Sequence, residues 1–302
     1  MKSTTVRRMA LSIAAVTALA GVAACSSTDS GGSSKSSRKD DRTSTRLSPI
    51  AALRTAEKST DAADSAKVES TTTMGSLMSM TADGALGWGD GITGTMTITY
   101  TGGTMADTMR QLGTTSMEAR YLPDAYYARM GEKFAAQAGG KHWIRYGYDD
   151  LADLGGSSGA YLKDQMQNTT PNQSVKLLLA SGDVKKVGEE KVRGVDTTHY
   201  SGTVDVADLA AKNSSLSESQ LAGLRKQLEQ AGVTTQTVDI WVNDQNLLVK
   251  KVEKGKMTNG ELTQTAYYSD YGVKVSAEKP PAGDTEDFKA LLKKQGGTGT
   301  IS

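Results

Sequence analysis

The chain has almost none of the residues from which covalent cross-links and metal centres are built: one cysteine and two histidines among 302 residues. A single cysteine closes no disulfide within the chain and forms no thiolate cluster. His142 and His199 lie far apart and lack the spacing of helical metal pairs, so both read as ordinary strand or turn residues. Phenylalanine is scarce too, with Phe134 and Phe288 alone, and rigid ring packing is expected to contribute little. Neither sign of charge prevails, at 35 basic against 34 acidic residues, and no block of like charge reads as an arm for nucleic acid. Long apolar runs are missing after the first 24 residues, and the run from Met9 to Ala24 is short for a membrane span. Without disulfides or metal the fold must stand on its hydrophobic core, and the chain is long enough to build one. No cofactor is expected.

What is present at the start is a secretory signal: Lys2, Arg7 and Arg8, the apolar run, then Val22-Ala23-Ala24 before Cys25. Val22-Ala23-Ala24-Cys25 resembles the lipobox of bacterial lipoproteins, in which the cysteine is joined to diacylglycerol and becomes the first mature residue. The alternative is cleavage after Ala24 that leaves Cys25 unmodified. Two or three acyl chains bury enough methylenes, at about 0.8 kcal/mol each, to hold a protein at a membrane almost permanently. Residues 26 to 46 are Ser, Thr, Gly and charge without an apolar side chain, which predicts a flexible tether. Its average reach is about 25 Å, from roughly 5–6 Å × √n. Removing residues 1 to 24 leaves 32 basic against 34 acidic side chains. The expected organisation is a signal peptide (1–24), a lipidated tether (25–46), one folded domain (47–295) and a disordered tail (296–302).

Apolar periodicity in the body starts with a helix over Ser48 to Ala66, with Ser48 and Pro49 at cap and first-turn positions and Ile50, Leu53 and Ala56 as its stripe. The period then falls to two. Val68 to Met80 reads as one strand, with Met74, Ser76, Met78 and Met80 on one side, and Met96, Ile98 and Tyr100 alternate with threonines in the next. Short strands follow over Met117 to Leu122 and Ala125 to Met130, around a Pro123-Asp124 turn, and over Trp143 to Tyr146. Asp149 to Ala180 is helical in character with Gly-rich interruptions. Strands return at Val184 to Lys191 and Val195 to Val204. A helix spans Glu218 to Gln230, with a Ser217/Gln220 capping box and a Leu221, Leu224, Leu228 stripe. Strands over Thr235 to Val242, Leu247 to Lys256 and Leu262 to Val275 close the pattern, the last two joined by Asn259-Gly260. This order argues an α+β fold with a largely antiparallel sheet.

Motifs that look catalytic have bland explanations. Gly155-Gly156-Ser157-Ser158-Gly159 matches a nucleophile elbow, yet that motif needs a strand leading into the serine, and Tyr148 to Leu154 reads as a helix. A hydrolase built on Ser157, His199 and Asp183 or Asp196 is the remote rival. Gly89-Asp90-Gly91-Ile92-Thr93-Gly94 matches a dinucleotide fingerprint but precedes a strand, which predicts a hairpin turn. Asp149-Asp150 and Asp284 to Asp287 lack calcium-loop spacing and suit helix N-termini.

The apolar side of the strands is rich in methionine, a flexible residue that adapts to irregular partners. A plain core with several methionines would explain this, as would the wall of a pocket for acyl chains. Three stretches shift the reading: Asp124-Ala125-Tyr126-Tyr127-Ala128-Arg129 with Lys141-His142-Trp143-Ile144; Val187 to Val195 leading to Thr198-His199-Tyr200-Ser201-Gly202; and Val238-Asp239-Ile240-Trp241-Val242 before Leu247 to Lys251. With the lipobox and the element order, the chain resembles the LolA-like lipoproteins of the LppX/LprG type. The resemblance implies a curved antiparallel half-barrel with helices on its concave face and an apolar cavity between, in proteins that carry or present lipids outside the membrane. On that basis the expected partner is a lipid or other hydrophobic ligand, with the membrane reached through the anchor. The candidate wall is Met74, Met78, Met96, Ile98 and Met117, faced by Leu178, Leu221 and Leu224 from a helical lid over Val175 to Ala180 and Leu216 to Gln230. Gly/Ser/Thr-rich strands depart from the family pattern and predict a narrow cavity. The principal rival uses the same fold, with a filled core, as a platform for a protein partner.

Overall fold

In the computed structural model the described residues are 48–153, 170–205, 218–230, 232–257 and 260–294. Helix α1 (Pro49–Ala62) starts where Ser48 Oγ accepts the Ala51 N–H at 3.2 Å. It buries Leu53, Ala56 and Thr60, while Ile50 stays 39% exposed, outside the stripe expected for it. The helix ends four residues earlier than its pattern suggested because Asp64, at φ 58°, turns the chain into β1 (Ser65–Met74).

From there the chain forms a meander: β2 (Met78–Gly87), β3 (Thr93–Gly102), β4 (Ser116–Tyr121), β5 (Ala125–Arg129) and β6 (Trp143–Gly147). Helix α2 (Gly103–Gln111) interrupts it between β3 and β4, and α3 (Glu132–Gln137) between β5 and β6. Helices α4 (Tyr148–Asp153) and α5 (Pro171–Ala180) follow, then β7 (Lys185–Val192), β8 (Val195–Asp205), α6 (Glu218–Gln230), β9 (Val233–Asn243), β10 (Leu248–Met257) and β11 (Gly260–Ser269). A 3₁₀ turn (Ala282–Asp284), β12 (Thr285–Asp287) and α7 (Phe288–Lys294) complete the chain. The strands make one 12-stranded curved sheet in the order β12-β6-β5-β4-β3-β2-β1-β11-β10-β9-β8-β7. Every pairing is antiparallel except β12 with β6.

The stretch Val68 to Met80 is therefore two strands rather than one. Met74 pairs with Met78 across a tight turn at Gly75, whose φ is 48°. The strand expected to continue to Val275 stops at Ser269, where Asp270 (φ 48°) and Gly272 (φ 76°) redirect the chain.

Period-2 alternation sorts side chains onto two faces. The registers place Met117, Ile98, Ala82, Ser70, Ala266, Lys251, Ile240 and Tyr200 in one row across eight strands. Helices α1 and α5 pack on this inner face, and the main core lies between them. Aromatic rings contribute more than the scarcity of phenylalanine suggested. Tyr121, Tyr126, Tyr146 and Phe288 form a chain of ring contacts with centroid separations of 5.1, 5.7 and 4.7 Å.

After β11 a strap without regular structure is fixed to the outer face by Arg120 donating to the Glu278 carbonyl at 3.0 Å and by Lys279 pairing with Asp124 at 2.9 Å. Ala277 of the strap packs on the outer cluster of Leu122, Ala125, Tyr127 and Trp143. Strap and sheet edge meet at His142, whose backbone N–H and Nδ1 both reach Asp284 Oδ1, at 2.8 and 2.7 Å, while Nε2 lies 3.3 Å from Glu132. As the sequence suggested, the acidic residues near the C-terminus serve a helix start: Asp287 accepts the Lys289 N–H at 3.0 Å.

Two measurements test this account. A Cβ at Gly84 would lie 2.1 Å from the Thr95 carbonyl oxygen and 2.9 Å from the Met96 sulfur, so Gly84→Val forces β2 from β3. Its urea midpoint is expected to fall by the equivalent of about 1–3 kcal/mol, and an unchanged midpoint would contradict the packing. Hydrogen bonds to Asp284 and then Glu132 raise the His142 pKa above 6.5. The clamp is therefore complete below pH 6.5 and weakens as pH rises through the raised value. Protection factors, which discount the base catalysis of exchange itself, should fall over residues 285–287 across that rise, and His142→Ala should remove that pH-dependent step in protection.

Candidate functional site

Between the inner face and the start of α5 lies a cavity of about 140 Å³. Strands β2 and β3 supply Met80, Ala82, Leu86, Met96 and Ile98, with Trp88 just beyond β2. The opposite wall comes from β1, β10 and β11, through Val68, Ser70, Lys251, Gln264, Ala266 and Tyr268. Tyr121 of β4 and Thr170 and Pro171 at the head of α5 close it. An apolar cavity of roughly 150 Å³ accommodates one benzene, whereas pockets for drug-sized ligands start at about 300 Å³. The space therefore fits a small apolar group or the end of a chain. Gly84 explains part of the narrowness, because the Met96 side chain folds over the position where another residue would carry a Cβ.

The two walls differ in chemistry. The β2–β3 side is apolar, while the β10–β11 side holds a buried ion pair. Lys251 Nζ donates to Glu253 Oε1 at 3.2 Å and to Ser174 Oγ of α5 at 2.8 Å. Ser174 in turn donates to Glu253, and Gln236 Nε2 donates to Glu253 Oε2 at 3.0 Å. This network pins α5 to the sheet. A second tie, Asn172 Nδ2 to Asp61 Oδ1 at 2.6 Å, joins α5 to α1. The phenols around the cavity are un-ionised: burial, aided by Tyr100, pushes Tyr121 up to about 12, and burial, aided by Glu253, drives Tyr268 further upward.

Of the residues expected to form the wall, Met96 and Ile98 line this cavity. Met117 sits beside Ile98 in the row but is buried in the core one strand further out. Met74 and Met78 lie beyond the cavity at the β1–β2 turn, both half-exposed. Leu178 is fully buried, with its Cδ1 close against Gly202 of β8, and does not line the space. Leu221 and Leu224 fall within α6, but their side chains lie outside what the structure describes. The expected lid over Val175 to Ala180 is a core element, since Val175 and Leu178 are wholly inaccessible. The sequence pattern missed Trp88, Tyr121 and Tyr268 as lining. It also missed Lys251, although two adjacent lysines in a strand must send one side chain to each face.

The other motifs stand apart. Gly89 to Gly94 connects β2 to β3 and no helix follows it. Residues 155–159 of the serine motif, Ser217, Cys25, and the boundaries drawn within 1–47 and at 296–302 lie outside the described residues. His199 is on the outer face, stacked on Trp241 at 4.1 Å and 2.9 Å from Asp239. Among the described residues no group of three His, Cys, Asp or Glu side chains is placed to hold a metal ion, and no helix is long and apolar enough to cross a membrane.

No family model matches the chain. It is 61% identical over 254 residues to an uncharacterised 31.2 kDa protein of Streptomyces griseus, covering 84% of this chain and 83% of that one. It is also 55% identical over 310 residues, 98% of this chain and 100% of the other, to a Streptomyces coelicolor protein with "lipoprotein" in its name. The chain belongs to this family of bacterial lipoproteins. Among solved structures, the lipoprotein's shape is similar to that of lipoprotein LppX of Mycobacterium tuberculosis, at 13% identity and a TM-score of 0.45, over 76% of this chain and 98% of LppX.

The ion pair offers a direct test of how the cover is held. Lys251→Met strands Glu253 in the interior and is expected to cost about 3–5 kcal/mol in chemical denaturation. Adding Glu253→Leu should recover most of that loss. Equal destabilisation by the single and double variants would contradict the assignment.

Proposed function

We propose that this lipoprotein is held at the outer face of the cell membrane through acylated Cys25 and shelters the apolar end of a lipid between its sheet and helices, without catalysing a reaction. The observation that carries this reading is the cavity itself: a space between the sheet and its helical cover, with one wall of Met80, Ala82, Leu86, Met96 and Ile98. Buried apolar surface, at about 25 cal/mol per Å², supplies the affinity. The pinning of α5 by Asn172 and Ser174 directs loading to the other wall. There Met80 and Met96 can change rotamer and widen the space as a chain enters, which suits methionine's unbranched, adaptable side chain. On this reading the tether expected over residues 26 to 46, with an average reach of about 25 Å, holds the body near the lipid that supplies the guest.

The small volume favours one rival, the same fold acting as an anchored platform for a protein partner. Native mass spectrometry of the mature chain carrying Cys25→Ser separates the two. The carrier reading expects co-purified lipid, or uptake of a fluorescent fatty acid, that Ala82→Trp lowers at least tenfold by filling the cavity. A bare protein that takes up no fatty acid would overturn it in favour of the platform.

A further inference from the structure

The described residues hold five large hydrophobic side chains that are well exposed, and three of them, Ile50, Val187 and Val195, belong to α1, β7 and β8. The other two, Leu77 and Met105, are 49% and 36% exposed and are locked together. The Met105 N–H donates to the Leu77 carbonyl at 3.0 Å, Thr104 Oγ1 donates to the same carbonyl at 3.3 Å, and the Thr104 N–H donates to Ser76 at 3.2 Å. Gly103 makes the contact possible, since at φ 80° a Cβ there would fall 2.6 Å from the Leu77 backbone. The β1–β2 turn and the start of α2 thus form one rigid apolar tip.

Two features give that tip a direction. On the inner face, half-exposed Met74 and Met78 lie between it and Met80, which lines the cavity, so an apolar row runs from the tip to the site. Beside it, Met74 pairs with Leu262 of β11, and the neighbouring end of β10 carries Lys254 and Lys256, both exposed and without an ion pair among the described residues. Exposed Glu261 opposes them in part, and Asp107 is paired with Arg110 on α2 at 2.6 Å.

We infer that Leu77 and Met105 are a membrane-docking tip: they enter the headgroup boundary of an anionic bilayer, Lys254 and Lys256 contact its phosphates, and the Met80 end of the cavity is thereby turned toward the lipid surface. The inference rests on the carrier reading for its purpose but not for its test. Apolar side chains beside lysines are the chemistry of interfacial binding, in which apolar insertion and attraction to anionic lipid add.

The test is flotation of the mature chain carrying Cys25→Ser, which lacks the anchor, on vesicles of phosphatidylglycerol and phosphatidylcholine. Leu77→Asp with Met105→Asp is expected to lower the partition coefficient at least tenfold, whereas Val187→Asp leaves it unchanged. Lys254→Glu with Lys256→Glu should lower binding only on vesicles containing phosphatidylglycerol, and added salt should imitate that loss. Uptake of a fluorescent fatty acid from solution, measured alongside, reports whether the variants retain the cavity. Absent binding by the parent chain, unchanged binding by the tip variant, or a dimer that the tip variant dissolves would each overturn the inference. Vesicle binding that depends on the tip, in a chain that takes up no fatty acid, would uphold docking and sink the carrier reading instead.

Discussion

The antiparallel pairing of β1 with β11 is the constraint on which the rest of the molecule depends. Strands β1 to β6 form one meander and β7 to β11 another, and only this seam, from Lys67 opposite Ser269 to Met74 opposite Leu262, joins them into one sheet. The cavity lies across it, drawing Val68 and Ser70 from one side and Gln264, Ala266 and Tyr268 from the other. A one-residue slip at the seam would exchange every inward side chain of one half for an outward one, and would move Lys251 and Glu253 from beneath α5 to the solvent face. The seam closes a loop of nearly two hundred residues, so it gathers the non-local contacts that are slowest to form.

Much of the architecture is legible in local chemistry. Ser48 and Pro49 mark the start of α1, Pro123-Asp124 marks the turn between β4 and β5, and the leucine stripe of α6 falls where the structure places that helix. The β1–β2 hairpin was hidden for a specific reason. The turn between Met74 and Met78 preserves parity, so even-numbered residues point inward before and after it, and the alternation runs on as if one strand continued. The short elements α2, α3 and β12 carry too few residues for any period to declare itself.

The candidate site was legible only in part, and the reason is again physical. Met96 and Ile98 are apolar residues in a clearly alternating strand, and alternation alone sends them inward. Met74 and Met78 share their parity, yet sit past the helical cover, and nothing in sequence says where along a strand a cover ends. Lys251 is not legible as a lining residue because a charged side chain in a strand ordinarily faces water, and this one is buried. Here burial is sustained by Glu253 two residues along the same strand and by Ser174 of α5, while Gln236 of β9 donates to Glu253 in turn; only the folded sheet brings the last two into place. The tyrosine row is hidden by the scarcity of phenylalanine, because the rings of this chain come mainly from its 11 tyrosines.

The central claim is that the space between the β2–β3 wall and the helical cover is apolar enough to take a guest. Diffraction from crystals pressurised with xenon measures this most directly, because a dry cavity of this size binds xenon while a polar one holds ordered water. The account predicts a xenon peak against Ala82, Met96 and Ile98. A cavity with no xenon, filled instead by water bonded to Lys251, Gln264 and Thr170, would contradict it.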